Sequence, residues 1–461
     1  MPRVYADTVS WNVTTERVLP VFRGARRHGT VAVVLLTLGP LALAAQPTPG
    51  TRAPADDDPA LAALIARATS ASPRLRVTAA RTEAARARIG PAGSRPDPML
   101  MSGLQNFPLF KPGFSEEMTM KMVGISQTVL FPGKQRLRRE VAERDADAVV
   151  ARDRVARAEL VAAVKAAWYE LAYLDAALEL TQQQRSVLDG VAAVAMARYD
   201  AGAGSQADVL TARIDAAKLH DDEIGLRAER TSTVATLNAL LDRASDAPVA
   251  TVTISARLRR AATPDTLLAQ RSPLPALSDL QTRAMQSGPM LVGHQREIDA
   301  QTHRVALARM EARPDFDVVV QYGQRNRLPD MLTLQVAIPL RLQQRTNQGE
   351  VIASARAEAA ALEAEHDTQR NEVYGTIASL LTSAERARAR LALYQTSVMP
   401  QRRAAVDAAL AIYRGNSGSL AQVLSAESAL LNDTMTVARA LSDFARSVAA
   451  LELVVGSEVL P

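Results

Sequence analysis

The sequence predicts a mainly α-helical fold with a small β part, and three observations carry that reading. Gly133 to Ala201 runs for 69 residues without proline and with glycine only at its start and at 190. The chain repeats itself, in order, at an offset of 214 to 218 residues. Each half also holds two short segments whose apolar residues alternate with period two, which is strand geometry rather than helix geometry.

The repeat organises everything else. Arg95-Pro96-Asp97 returns as Arg313-Pro314-Asp315, 218 residues on, and Ser72-Pro73 returns as Gly288-Pro289, 216 on. Tyr199, Gly204-Ser205 and Val209-Leu210 return as Tyr413, Gly418-Ser419 and Val423-Leu424, 214 on. Single Pro or Gly matches arise by chance, whereas several in one order mark an internal repeat. Each half therefore reads helix, two strands, long helix, glycine-rich turn, long helix.

Taken in chain order, 1–44 is expected to be a signal peptide. Arg23, Arg26 and Arg27 precede the apolar run Val31 to Leu43, and Ala42-Leu43-Ala44 supplies small residues for cleavage. The run is shorter than the ~20 residues of a spanning helix. Residues 45–58 read as a disordered lead-in. The first repeat, 59–243, is expected to hold strands at 99–106 and 117–131 and long helices at 133–201 and 205–243. An Ala-, Pro- and Thr-rich linker, 244–278, joins it to the second repeat, 279–457. There the strands are expected at 315–323 and 331–340, and the long helices at 345–414 and 419–456. Val423, Leu430, Val437, Phe444 and Leu451 recur every seventh residue, a heptad that implies supercoiled packing. Leu160, Val164, Leu171, Leu174 and Leu178 form a comparable seam. A helix of 69 residues spans about 100 Å. No single globular core accommodates it, so a bundle, a tube or a stalk is implied.

The strands are two-faced. Leu332, Leu334, Val336 and Ile338 oppose Thr333 and Gln335, and Phe316, Val318, Val320 and Tyr322 oppose Asp315, Asp317 and Gln321. By the same alternation Met118, Met120 and Met122 oppose Thr119 and Lys121, which puts the methionines on the apolar face. With Met99 and Met101 they invite a copper or silver reading, since thioethers favour soft cations. Period-two placement on an apolar face is what packing alone would give, and packing is the favoured reading. Four strands cannot close a barrel, which needs about eight. Either the sheet packs within the chain or several copies share one barrel.

Composition removes whole classes of function. The chain has no cysteine, so thiol catalysis, disulfides, cysteine-ligated metal and a lipidated N-terminal cysteine are excluded. His28, His220, His294, His303 and His366 show no metal-site spacing on one helix face. Lys+Arg (54) and Asp+Glu (49) are interleaved rather than blocky, which argues against nucleic acid as a partner. Asp221-Asp222-Glu223 has no nucleophile, phosphate loop or histidine partner in sequence and reads as a solvated helix face. No catalytic residue, cofactor or metal site is expected. The remaining rival classes are a periplasmic coiled-coil adaptor and a structural protein of an export system, neither of which accounts for strand pairs inside a whole-chain repeat.

The chain resembles the TolC-type outer-membrane efflux channel family. The residues that carry the resemblance are Arg95-Pro96-Asp97, the run Ser126 to Lys134 (SQTVLFPGK), Ile338-Pro339-Leu340, the two Tyr…Gly-Ser…Val-Leu turns, and Leu237 to Leu241 (LNALL). The SQTVLFPGK run is similar to the branch linked to heavy-metal efflux. The resemblance implies a homotrimer whose four strands per protomer complete a twelve-stranded β-barrel in outer-membrane lipid, above an α-barrel tunnel of long helices. It implies passive export of small solutes or metal ions with a periplasmic adaptor and an inner-membrane pump. It also places Tyr199, Asp208, Tyr413 and Gln422 at a periplasmic gate, and Gly204, Ser205, Gly418 and Ser419 at an adaptor-docking tip. Tyr413 is expected to donate its hydroxyl to Asp208 as a closing latch. Gln422, Ser425 and Gly418 depart from the family's acidic and basic tip residues. The lipid-facing residues are expected to be Phe316, Val318, Leu332, Leu334 and Val336.

Overall fold

The computed structural model describes residues 58–460 except 111–112, 115, 264–272, 341–342, 344 and 416–417. The expected signal peptide, the lead-in up to residue 57 and the middle of the linker lie outside the described residues.

The first repeat comprises α1 (Pro59–Ala71), α2 (Pro73–Ala87), α3 (Ile89–Ala92), β1 (Met99–Gln105), β2 (Met120–Val129), α4 (Lys134–Asp200) and α5 (Gln206–Leu240). The linker contributes α6 (Ala256–Ala262). The second repeat comprises α7 (Leu277–Ser287), α8 (Pro289–Glu311), β3 (Phe316–Arg325), β4 (Met331–Ala337), α9 (Glu350–Leu393), α10 (Met399–Arg414) and α11 (Leu420–Val455). Pro59, Pro73 and Pro289 all sit in the first turn of a helix, where the missing N–H is unneeded and the fixed φ favours entry. The strands are shorter than the sequence suggested at 117–131 and 331–340, because pairing partners end at Val129 and Ala337.

The two long-helix hairpins are not copies of each other. α4 is one uninterrupted helix of 67 residues. Its counterpart, expected as one helix over 345–414, carries π-helical turns at Arg345–Gly349 and Tyr394–Val398. The second of these directly precedes Met399-Pro400. Proline lacks the N–H donor and its ring crowds the carbonyl four residues back, so a widened turn lets the helix continue past it.

α4 is the central strut, lying against α5, α8 and α11. Two apolar clusters hold the bundle. The larger joins Leu160, Val164 and Leu171 of α4 to Ile377 of α9 and Phe444 and Leu451 of α11. The smaller joins Leu188 and Val191 of α4 to Val209 of α5, Tyr413 of α10 and Leu420 and Val423 of α11. Between them Gln184 donates to Glu427 at 3.1 Å, both side chains being buried. The heptad residues Val423, Phe444 and Leu451 are fully buried, as the supercoil reading requires.

The four strands form one antiparallel sheet in the order β1-β2-β3-β4. The two repeats meet at its centre, where β2 pairs with β3, and β1 and β4 are left as edges. A polar knot fixes this junction to the helices. Gly133 takes φ +89°, which turns the chain from β2 into α4 and drives Lys134 beneath the sheet. The Lys134 side chain is fully buried; its Nζ donates to Asp315 Oδ1 at 2.7 Å and to the Arg313 carbonyl at 3.0 Å, and lies 3.4 Å from Glu311. The Phe131 N–H donates to the same Asp315 oxygen at 2.8 Å. The FPGK run of one repeat and the RPD run of the other are thus two halves of one joint.

Candidate functional site

Two regions stand apart from the packed bundle. The first is the sheet. Register puts Leu100 on β1, Val123 and Ile125 on β2, Val320 and Tyr322 on β3, and Leu332, Leu334 and Val336 on β4 on one face. This face is open: Leu100 is 77% exposed and Leu334 70%. Phe316 and Val318 share the face and are half-buried, while Leu332 and Val336 are exposed. The opposite face carries Ser126, Thr128, Asp317, Gln321, Thr333 and Gln335. It is the more sheltered of the two, with Gly124, Ser126 and Gly323 buried.

The methionines are on the other face from the one expected. Met99 pairs with Ser126, Met101 with Gly124, Met122 with Gly103 and Gly323, and Met331 with Gly323. Directly opposed residues share a face, so Met99, Met101, Met120, Met122 and Met331 lie with the polar residues. The apolar stripe of β2 is instead Val123, Ile125 and Val129, with Lys121 at its end. Alternation within one short run could not decide which set was which. Only the pairing to β3 does.

The second region is the pair of glycine-rich turns. Ser205 caps α5, its Oγ accepting from the Asp208 N–H at 3.1 Å, and Ser419 occupies the matching position before α11 without a side-chain cap. A Cβ on Gly204 would stand 3.0 Å from the Tyr199 backbone nitrogen, and one on Gly418 would stand 2.8 Å from Ile412 Cγ2 and 3.3 Å from the Tyr413 nitrogen. Both turns fold back onto the same backbone position of their tyrosine, so the sequence repeat holds at atomic detail. Beyond that the tyrosines differ: Tyr199 is exposed, whereas Tyr413 is buried in the smaller apolar cluster. Gln422 is exposed and Asp208 half-buried.

The expected Tyr413–Asp208 hydrogen bond is not made within the chain; among the described residues neither the Tyr413 hydroxyl nor the Asp208 carboxylate has a side-chain partner. The contact to Tyr413 comes from Arg198. Its guanidinium sits 4.5 Å from the centre of the Tyr413 ring and donates to the Tyr413 carbonyl at 2.7 Å. A weaker bond, 3.4 Å, reaches the Ala203 carbonyl. Arg198 therefore clamps the end of α10 to the turn after α4. No sequence signal marked it, because its repeat counterpart is Ile412.

Glu223 is a further correction. Asp221 and Asp222 are exposed, but the Glu223 side chain is 3% exposed. It is enclosed by Arg227 at 2.5 Å, Arg185 of α4 at 3.4 Å and His220 at 3.6 Å. Burial pushes its carboxyl up, and the Gln182 hydrogen bond, Arg227, His220 and Arg185 more than offset this, leaving it below the usual glutamate value. Among the described residues no group of three or more His, Asp or Glu is arranged to hold a metal, and no helix is long and apolar enough to cross a membrane.

Comparison with known proteins decides the family. Residues 64–243 match the outer membrane efflux protein family model. The chain belongs to that family. It is an outer-membrane channel component of efflux systems that extends into the periplasm, and it is not an enzyme. Solved structures share the fold of this efflux protein. VceC of Vibrio cholerae matches with TM-score 0.71 at 20% identity, over 87% of this chain and 96% of its own. CmeC of Campylobacter jejuni matches with TM-score 0.70 at 12% identity, over 88% and 87%. MtrE of Neisseria gonorrhoeae, solved in an open state, matches with TM-score 0.67 at 16% identity, over 87% and 89%. No curated protein matches by sequence.

Proposed function

We propose that three copies of this efflux protein close a twelve-stranded barrel and serve as a passive duct for small solutes or metal ions, working with a periplasmic adaptor and an inner-membrane pump. The observation that carries the proposal is the sheet: four strands, both edges unpaired, one face open and apolar, the other sheltered and polar. An exposed apolar face of this size suits lipid, and unpaired strand edges in lipid must be satisfied by closure. Four strands fall short of a barrel, and three copies supply twelve, within the range of outer-membrane barrels. Phe316, Val318, Leu332, Leu334 and Val336 then face lipid, and Thr333 and Gln335 face the lumen.

The duct contributes geometry, not chemistry, so the driving energy comes from the pump. The tip is the gate. Tyr199, Asp208, Tyr413 and Gln422 lie around the two turns, and Gly204, Ser205, Gly418 and Ser419 present the surface on which an adaptor docks. The Arg198 clamp on Tyr413 holds the two turns together in the single chain and is the element an adaptor would have to release. Conductance in planar bilayers tests the reading. Purified protein in detergent is expected to run as a trimer and to open discrete ion-conducting channels; a monomer that leaves bilayers silent contradicts it.

A further inference from the structure

Met120, Met122 and Met331 surround one glycine. A Cβ on Gly323 would stand 3.2 Å from Met122 Sδ and 3.4 Å from Met120 Sδ, so both thioethers lie over a position kept free of any side chain. Met331 is directly paired with Gly323 from the other side. Met101 lies one row away, paired with Gly124. All four are on the sheltered face, in rows with Gln321, Thr333, Ser126 and Gln335, while the open face is supplied with Leu, Val and Ile. Packing against lipid does not account for methionine there.

We propose that Met120, Met122 and Met331 form a thioether site for a soft monovalent cation, Cu(I) or Ag(I), on the lumen side of the barrel wall. This rests on the duct reading above and names a cargo class for it. Thioethers are neutral, soft ligands that prefer Cu(I) and its congeners, whereas Na⁺, Mg²⁺ and Ca²⁺ require oxygen donors. No carboxylate pairs into the Met122–Gly323–Met331 row. Arg325, paired with Met120, has its Nε bound to the Pro329 carbonyl at 2.8 Å and adds a nearby positive charge. Such a site selects by softness rather than by charge and holds its ion weakly, as a transit position must. Binding exchanges water for sulfur ligands and involves no electron transfer, so Ag(I) is a suitable probe.

The test uses the full chain in detergent, which has no cysteine to compete for silver. Ag(I) binding is measured by calorimetry, and Ag–S coordination by X-ray absorption. The wild type is expected to show saturable binding with sulfur in the first coordination sphere. The triple variant Met120→Leu, Met122→Leu, Met331→Leu keeps volume and apolarity. It is expected to lose that binding at least about tenfold, the scale of a damaged metal site. Met196→Leu, Met285→Leu, Met290→Leu together, all on helices, are expected to bind like the wild type. Gly323→Ala, which pushes the two sulfurs aside without a change of backbone region, is expected to weaken binding and guards against misfolding of the triple variant. Silver binding unchanged in the triple variant, or sulfur coordination absent from the wild type, overturns the site. Bilayer conductance is read on the same samples. Conducting wild type without silver binding removes the site and leaves the duct standing; silver binding without conductance does the reverse.

Discussion

Arg198 reaches from the end of α4 to the end of α10 and grips Tyr413 by ring and carbonyl together. A charge-assisted hydrogen bond contributes about 1.5–3 kcal/mol, and a cation–π contact about 0.5–1 kcal/mol at a solvated site. The Tyr413 hydroxyl takes no part in either. Tyr413→Phe is therefore expected to leave single-channel conductance near wild type, while Arg198→Ala raises it or lengthens the open time. Equal conductance in Arg198→Ala and wild type would mean that the tip is held by the apolar cluster alone. Glu223 makes a second prediction at this scale. Its folded pKa lies below the ordinary 4.5, so its stabilisation is present above that value and is lost as pH falls through the folded pKa. Glu223→Gln is expected to lower thermal stability at neutral pH and to flatten the loss of stability on acidification below about pH 4.5. An unchanged acid profile would show that Glu223 pairs equally well in the unfolded chain. Neither residue was legible in the sequence. The partners of Glu223 include Arg185, on a different helix, and Arg198 has no counterpart in the repeat.

Elements were more legible, because periodicity is a local property. The 3.5-residue seam of α11 and the proline-free run of α4 marked helices that the structure contains. Alternation marked four strands, yet it assigned the methionines to the wrong face, since face identity depends on which strand lies alongside. The joint between the elements was visible only as two unconnected motifs. Lys134 and Asp315 belong to different repeats, and their 181-residue separation gave no reason to pair them. Removing one partner of a buried ion pair costs about 3–5 kcal/mol. Lys134→Ala is expected to lower the temperature at which helical circular dichroism is lost in detergent, and a melting curve unchanged from wild type would show the knot to be dispensable. On β4, Leu334→Arg near the midplane is expected to cost about 2–4 kcal/mol, against little for Gln335→Arg. Equal losses of folded barrel in the two variants would contradict the assignment of faces.

For the whole molecule the central claim is closure of the barrel between copies, and the internal repeat specifies its register. Asp97 corresponds to Asp315 and Pro132 to Pro339. Carrying the observed pair Gln127–Val318 through that equivalence sets Leu334 of one copy opposite Leu100 of the next. Both residues lie on the open, apolar face, as a true neighbour pair must. The natural chain lacks cysteine, so introduced thiols report without background. The most direct measurement is thiol cross-linking of the double variant Leu100→Cys, Leu334→Cys in outer membranes, read on a non-reducing gel. The account predicts covalent dimers and trimers that collapse to monomer on reduction, and far less product from Leu100→Cys combined with Gln335→Cys. Monomer alone from the first pair, or equal product from the two pairs, would contradict a barrel closed by β4 of one copy against β1 of the next.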